Sequence, residues 1–346
     1  MRHTSFQVAL WILVAVCSNA HAGTVYSFQT LNNPADPTFN QILGINNTGT
    51  AVGYFGSGSS TSPNKGFVVN LFSGPSAFTD QNFPASVQTQ VVGLNNNTSP
   101  TTVGFWVDAM GDNFGFVKHG TTFTDVVNPA TNMNQTNQLL GVNDHNIAVG
   151  FFTDDNGNAN AYSYNIATQG FTAITPPSAW GAVAVTATGI NDAGEISGFY
   201  TDANGDVHGF IDNQGTFTSF DDPTADSSNT MFFGINNNGV AVGSFDDGAG
   251  VTRGLVFNSF FDVFTTIDDP NASATPAFDV NGTLINGIND NGTLVGFYSD
   301  GTNINGFVAT ATPEPSSVSL GALSGLLLAA TLVRKQRRRA AAIRRS

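Results

Sequence analysis

The stretch GINNTGTAVGY at residues 44–54 decides the fold, because the same phrase returns along the chain. Five further copies keep the glycine, the aliphatic residue and the asparagine that open it, and they begin at Gly93, Gly141, Gly189, Gly234 and Gly287. Successive copies start 49, 48, 48, 45 and 53 residues apart. A period of about 40–50 residues is typical of the four-stranded blades of β-propellers. The repeat therefore predicts an all-β chain of six similar units.

Each unit is predicted to contain four short strands joined by tight turns. The first strand ends at the Gly-Ile-Asn triplet, and the asparagine, aspartate and glycine residues that follow tolerate the positive φ of a hairpin turn. The second strand is the Val-Gly-aromatic run, and the third opens with a Gly-Phe pair such as Gly209-Phe210. The fourth is rich in threonine and aromatic residues and ends at a proline, as in FTSFDDP at residues 217–223.

The two ends of the repeat region fit together. The sixth unit stops near Ala311 after three strands, and the stretch GTVYSFQTLNNP at residues 23–34 matches the phrase of a fourth strand. An N-terminal strand that completes the last unit closes a ring, whereas a linear solenoid needs a cap at each end. We therefore predict a six-bladed β-propeller over residues 23–311, closed by its N-terminal strand. A β-solenoid or a sandwich array is the alternative.

Charge and cysteine content exclude several classes of protein. Only 10% of the residues are charged, and residues 23–311 contain three basic residues, Lys65, Lys118 and Arg253, against 24 acidic ones, a net charge of −21. Such a surface repels phosphate backbones, so we expect no nucleic-acid partner. The single cysteine, Cys17, excludes an intrachain disulfide framework and a cysteine-ligated structural zinc site.

The N-terminus is predicted to be a secretory signal peptide, residues 1–22. An apolar run over residues 8–16 precedes the small residues Ala20 and Ala22, which places cleavage before Gly23. The run is too short to span the ~30 Å of a bilayer core, which argues against a membrane anchor. Lipidation at Cys17 is a further alternative, but Val16 stands where such signals have a small residue.

The C-terminal segment, residues 312–346, combines three features in order. Pro313, Glu314 and Pro315 come first, an apolar stretch follows over residues 316–333, and a basic cluster begins at Arg334 and Lys335. About 18 helical residues span about 27 Å, close to one bilayer core. The basic cluster would keep the C-terminus in the cytoplasm and the repeat region outside.

The order and position of these features resemble the PEP-CTERM sorting signal of Gram-negative and related bacteria. This resemblance implies a tether in the inner membrane, recognition by an exosortase, removal of the helix, and delivery to the cell surface or extracellular matrix. A plain single-pass anchor is the alternative. The repeat phrase is similar to that of the bacterial extracellular HAF-repeat family over nearly all of residues 23–311. That resemblance implies an exported location and no known activity.

The repeat asparagines are the first candidate for a binding site. They could form a polar ring that holds water or an ion, or each could cap its own hairpin through an Asx turn. The Asx turn is favoured because the residue returns in every unit; the six are Asn46, Asn95, Asn143, Asn191, Asn236 and Asn289.

Acidic turns are weak candidates for calcium ligands, because Ca²⁺ prefers clustered oxygen ligands on such loops. The candidates are Asp154, Asp155, Asp202, Asp206, Asp246 and Asp247. None belongs to an EF-hand loop, since the distal glutamate is missing, and plain hairpin turns are the favoured interpretation. No other metal or cofactor is predicted.

No catalytic residue is predicted. The pairs Asp221-Asp222 and Asp268-Asp269 invite a glycosidase hypothesis, but the equivalent pair Asn32-Asn33 has no acid, which favours a turn. A sialidase would need several arginines around its substrate, and residues 23–311 contain only Arg253. Five aromatic residues could either stack on sugars or pack in the core: Trp106, Trp180, Tyr54, Tyr200 and Tyr298.

The sequence as a whole indicates an exported, non-catalytic structural or binding component of an extracellular polysaccharide layer. The alternatives are a propeller enzyme that acts on glycans and a calcium-dependent adhesion module.

Overall fold

The computed structural model of the chain describes residues 25–71, 78–131 and 136–312, except for the side chains of residues 227 and 228. Within these residues the chain is all-β, with one short 3-10 turn at Ser178–Trp180. No helix in this part of the chain is long and apolar enough to cross a membrane. The predicted signal peptide with Ala20, Ala22 and Gly23, and the sorting motif with Pro313, Glu314, Pro315, Arg334 and Lys335, lie outside the described residues.

The strands fall into four-stranded sets that follow the sequence repeats. In chain order the sets are β2 (Asn40–Ile45), β3 (Thr50–Phe55), β4 (Lys65–Asn70) and β5 (Thr79–Asp80); β6 (Gln88–Leu94), β7 (Thr102–Val107), β8 (Asn113–His119) and β9 (Thr122–Val126); β10 (Asn137–Val142), β11 (Ile147–Thr153), β12 (Ala159–Asn165) and β13 (Gly170–Ala173); β14 (Ala184–Ile190), β15 (Glu195–Thr201), β16 (Val207–Asn213) and β17 (Thr216–Phe220); β18 (Ala225–Ile235), β19 (Val240–Asp247), β20 (Thr252–Asn258) and β21 (Val263–Thr266); and β22 (Thr283–Ile288), β23 (Leu294–Ser299), β24 (Ile304–Ala311) and β1 (Tyr26–Thr30).

The strands within each set are antiparallel neighbours. The sets β14–β17 and β18–β21 are also joined by one parallel bridge, between Val207 and Asn229. The N-terminal strand β1 lies antiparallel to β24, from Tyr26 opposite Ala311 to Thr30 opposite Phe307. This is the pairing that the sequence predicts, so strands from the two ends of the repeat region share one sheet.

Glycines allow the first strands of neighbouring repeats to approach closely. A Cβ atom added to Gly44 would lie 2.8 Å from the carbonyl oxygen of Val92 in the next repeat. A Cβ atom added to Gly53 would lie 2.0 Å from the carbonyl oxygen of Gln41 on the paired strand. Side chains larger than glycine would push these backbones apart, which explains why both positions of the repeat phrase are glycine.

The core lies between neighbouring sheets. Phe116 on β8 is fully buried and packs with Val91 on β6 and with Val52 on β3 of the preceding repeat. Phe67 and Ile42 make the same kind of cluster with Val295 of the last repeat. Burial of one such phenylalanine stabilises the fold by about 1.5–3 kcal/mol relative to an exposed side chain.

The strand order gives the repeats two ends with different loops. Turns between the first and second strands and between the third and fourth strands lie at one end, which we call the inner-hairpin face. Turns between the second and third strands, and the connections from one repeat to the next, lie at the opposite end, which we call the connection face.

Candidate functional site

The six repeat asparagines form a closed ring of hydrogen bonds. Each side-chain Nδ2 donates to the main-chain carbonyl oxygen of the corresponding asparagine in the following repeat, over 3.0–3.2 Å, in the order Asn46, Asn95, Asn143, Asn191, Asn236, Asn289 and back to Asn46. All six are at least 94% buried. The ring thus ties the first strands of the six repeats to one another.

The same amides also cap their own hairpins. The Oδ1 atom of Asn143 accepts the backbone N–H groups of His145 at 3.1 Å and Ile147 at 3.0 Å. Asn95 precedes a longer turn, and its Oδ1 accepts the N–H of Thr101 at 2.9 Å. The polar ring and the Asx turn therefore use the two atoms of one amide group: Nδ2 donates to the ring, and Oδ1 accepts the N–H groups of the turn.

A second ring follows from the residue after each asparagine. The backbone N–H of each member donates to Oδ1 of the next member over 2.6–2.8 Å, in the order Asn47, Asn96, Asp144, Asp192, Asn237, Asp290 and back to Asn47. The prediction missed this ring, although the phrase shows Asn or Asp at all six positions. That restriction to Asn and Asp is the signal that marks these positions, although it does not show which backbone group each side chain meets.

Both rings line a cavity of about 70 Å³, which is large enough for ordered water. Amide groups hydrogen-bond to the carboxylates at its rim: Asn47 Nδ2 donates to Asp290 Oδ2 at 2.7 Å, and Asn237 Nδ2 donates to Asp192 Oδ2 at 2.8 Å. Across the described residues, no group of three or more His, Cys, Asp or Glu side chains is placed to hold a metal ion. The rings act chemically as ties between repeats.

Three of the calcium candidates each begin a turn on the connection face. Oδ1 of Asp154, of Asp202 and of Asp247 accepts the N–H groups two and four residues further on, over 2.8–3.0 Å. The N–H of Asn158 lowers the pKa of Asp154, and the N–H of Val251 lowers that of Asp247. These three carboxylates therefore already accept hydrogen bonds from the backbone N–H groups of their own turns.

The other three calcium candidates lie beside them in the same turns. Asp155 is exposed, Asp206 closes its turn through the N–H bond to Asp202, and Asp246 accepts the hydroxyl of Thr252 at 2.8 Å. The six candidates therefore belong to three separate turns of three successive repeats.

The paired carboxylates separate into two roles. Oδ1 of Asp269 accepts the N–H of Asn271 at 2.8 Å, and Asn33 accepts the equivalent bond from Ala35 at 3.0 Å. The preceding Asp268 instead pairs with Arg253 at 3.1 Å. The buried member of each pair thus forms a turn, and the outer member contacts a side chain of the third strand. In the other acidic pair, the outer member Asp221 contacts His208 at 2.9 Å.

Most of the aromatic residues that were candidates for sugar stacking are core residues. Tyr54, Tyr200 and Tyr298 are buried. Trp106 is enclosed between the rings of Phe83 and Phe114, at centroid distances of 4.5 and 4.7 Å.

Trp180, which like Trp106 is half-buried, lies in the 3-10 turn of the connection face, packs against a core cluster and stacks on Tyr200 at 4.9 Å. The core-packing interpretation is therefore correct for the three tyrosines, and both tryptophans pack against core clusters while remaining half-buried.

A cleft of about 420 Å³ lies next to this turn on the connection face, between β12 and the connection from β13 to β14. Its walls are apolar at Phe152, Pro177 and Val183, and Asn160 and Ser178 supply neutral polar groups. No charged residue lines it among the described residues. The cleft can therefore accept an uncharged ligand with one apolar face.

A wider groove of about 800 Å³ lies on the inner-hairpin face, between the turns of the fourth and fifth repeats. Its rim carries Phe260, which is 84% exposed, beside Phe261, which is 63% exposed. This feature was not predicted, because nothing in the phrase NSFFD at residues 258–262 distinguishes an exposed aromatic pair from a fourth strand.

No protein-family model matches the chain, and no curated protein matches it. Among solved structures, the lectin of Aleuria aurantia, a fungal lectin with a six-bladed β-propeller fold, matches at 10% identity with a TM-score of 0.50, over 83% of this chain and 99% of the lectin. Trypanosoma rangeli sialidase matches at 8% identity with a TM-score of 0.50, over 82% of this chain and 59% of the sialidase. TolB from Acinetobacter baumannii matches at 9% identity with a TM-score of 0.49, over 77% and 67% of the two chains. At these identities the similarity shows the fold alone, and the chain is an all-β protein of propeller-like architecture built from four-stranded sheets.

Proposed function

We propose that this protein is an exported six-bladed β-propeller that binds polysaccharide without catalysis in the outer layer of a Gram-negative-type bacterium. The six strand sets and the ring of six asparagine amides support the proposed number of blades. The resemblance of residues 1–22 to a signal peptide and of residues 312–346 to a PEP-CTERM tail supports the proposed export.

The observation that supports glycan binding best is the cleft beside the 3-10 turn. Sugars offer hydroxyl groups around an apolar ring face, and binding sites for them combine neutral polar groups with apolar walls. Asn160 and Ser178 provide the neutral polar groups, and Phe152 and Val183 provide the apolar walls. The negative charge of the repeat region disfavours anionic chains, so the proposed ligand is a neutral polysaccharide.

Calorimetric titration of the full chain tests the binding, with laminarin as a neutral glucan and alginate as an anionic polysaccharide. We expect saturable binding of the neutral chain only. Ser178→Trp fills the cleft from an exposed position and should remove the share of the binding that the cleft contributes. Thr172→Trp adds the same bulk on β13 outside the cleft and should leave it unchanged.

Two other results would overturn parts of the proposal. Release of reducing ends during the titration would replace the binding module by a glycan-active enzyme. Loss of binding in EDTA, with recovery in calcium, would favour the calcium-dependent adhesion module.

The proposed route to the surface has its own test. Mass spectrometry of the protein from its producing cells should give a mature N-terminus at Gly23 and a chain without the segment that follows Pro315. A cell that lacks its exosortase should retain the uncut tail in the membrane fraction. An intact chain in the cytoplasmic fraction would contradict export.

A further inference from the structure

We propose that the groove on the inner-hairpin face is a second binding site for a neutral glycan, anchored by Phe260 and Phe261, and that the protein thereby cross-links polysaccharide chains. This inference rests on the proposed function, because it assumes the cleft on the connection face as the first site.

The exposure of the two phenylalanines is the starting observation. Phe260 and Phe261 are 84% and 63% exposed at the tip of the β20–β21 hairpin, with their rings 4.9 Å apart and perpendicular. Exposed aromatic residues that are adjacent are costly to keep in water unless they meet a partner. Phe260 lines the groove, and Phe261 lies next to it on the same turn.

The turn itself does not require aromatic residues. In the fifth repeat, Oδ1 of Asn258 accepts the N–H groups of Phe260 and Phe261 at 3.1 and 3.2 Å. In the third repeat, Oδ1 of Asn165 accepts the same two bonds at 3.0 Å from residues 167 and 168, which are alanine and threonine. Each turn then has a residue with positive φ, 59° in the third repeat and 54° in the fifth. The aromatic pair is therefore an addition to a turn that forms without it.

The groove beside the pair has the chemistry of a sugar site. Thr216 and Thr218 are exposed on β17, and Asn238 lies on the opposite wall. Glu195 is the one charged residue of the lining within the described part of the chain, and its carboxylate oxygen accepts a hydrogen bond from Asn191 Nδ2 at 2.7 Å. Hydroxyl and amide groups around an exposed ring match a neutral saccharide, and the carboxylate would repel an anionic one.

The two sites lie at opposite ends of the strands. The cleft is formed by a second-to-third-strand hairpin and a repeat connection, and the groove is formed by inner-hairpin turns. One glycan chain bound at each face makes the protein a bivalent link, and simultaneous binding to a network strengthens attachment without new contacts.

The experiment uses the full chain, laminarin as the probe, and calorimetry together with light scattering. Ser178→Trp should still bind laminarin through the groove but lose the scattering maximum that cross-linking produces at intermediate ratios. Combining it with Phe260→Ser and Phe261→Ser should weaken the remaining binding by about 10- to 100-fold. Met110→Ser removes a comparable exposed side chain, 87% exposed on the connection face, and is the control for general stickiness.

The outcomes separate this inference from the proposed function. If Ser178→Trp alone abolishes all binding, the cleft is the one glycan site and the inference is wrong while the proposed function stands. If the unaltered chain binds no glycan, both are wrong. If the chain dimerises in sedimentation velocity without glycan and the double Phe→Ser variant does not, the aromatic pair contacts a second copy of the protein, which also overturns the inference. Equal melting temperatures for all variants show that none of these results reflects unfolding.

Discussion

Removal of one ring asparagine is the sharpest test of the structure. Asn143→Ala deletes three hydrogen bonds: two that Oδ1 accepts within its own turn and one that Nδ2 donates to Asn191 at 3.1 Å. The residue is only 5% exposed, so water does not readily replace them. At about 1 kcal/mol for each bond, the free energy of unfolding should fall by about 3 kcal/mol.

Two further variants divide this loss between the turn and the ring. Asn95→Ala deletes one turn bond and one ring bond, so it should cost about 2 kcal/mol. Asn143→Asp keeps the turn acceptor but replaces the Nδ2 donor by an oxygen that faces the carbonyl of Asn191. It should therefore lose the ring bond and add a repulsion, also at a cost of about 2 kcal/mol.

Urea unfolding followed by tryptophan fluorescence measures these differences, provided that the denaturant slope is the same for all variants. The reasoning is refuted if Asn143→Asp is as stable as the unaltered chain, because the ring bond would then contribute nothing. It is also refuted if Asn95→Ala costs as much as Asn143→Ala, because the number of bonds would then not govern the loss.

Three other changes have expected outcomes. Asp269 is 3% exposed, its Oδ2 has no hydrogen-bond partner within the described residues, and burial raises its pKa. Asp269→Asn should therefore increase the free energy of unfolding at pH 7 by about 1 kcal/mol. Urea unfolding near pH 4 should show a smaller gain, because the protonated acid no longer buries a charge. The N–H of Val251 and the side chain of Arg253 lower the pKa of Asp247. Asp247→Asn should therefore lower the melting temperature at pH 7, and the difference from the unaltered chain should disappear as the pH falls through the lowered pKa. A difference in melting temperature that persists in acid would contradict this account. Deletion of residues 23–34 removes β1 from β24, and it should lower the melting temperature and speed hydrogen exchange in β24, whereas unchanged melting would mean that the closing strand is dispensable.

The repeat phrase was enough to predict the strand order and the closing pair, because both depend on local patterns. The Gly-Ile-Asn triplet, the Val-Gly-aromatic run, the turn asparagines and the proline after the fourth strand each restrict a few neighbouring residues. The match of residues 23–34 to a fourth strand then predicted the pairing of β1 with β24.

The contacts between repeats could not be predicted in the same way. The second ring joins the N–H of Asn47 to Asn96, and these residues are 49 positions apart. The partner of each side chain depends on how closely the first strands of neighbouring repeats approach one another. The glycines permit that close approach, but the distance between the strands is known only from the folded structure. The same limit applies to Tyr200 and Phe260, whose residue types do not reveal that one is buried and the other exposed.

The closing contacts also constrain how the chain can fold. The bond from Asn289 to Asn46 and the ladder between β1 and β24 join segments that are separated by nearly the whole repeat region. Such contacts have a high sequence separation, and the loop entropy lost in making them is recovered only when the last repeat is in place. A chain that emerges N-terminus first must therefore hold its first strand unpaired until its end arrives. Once the two ends are paired, a protease can cut there only when the closing contacts open. Resistance to proteases is then governed by how often those contacts open.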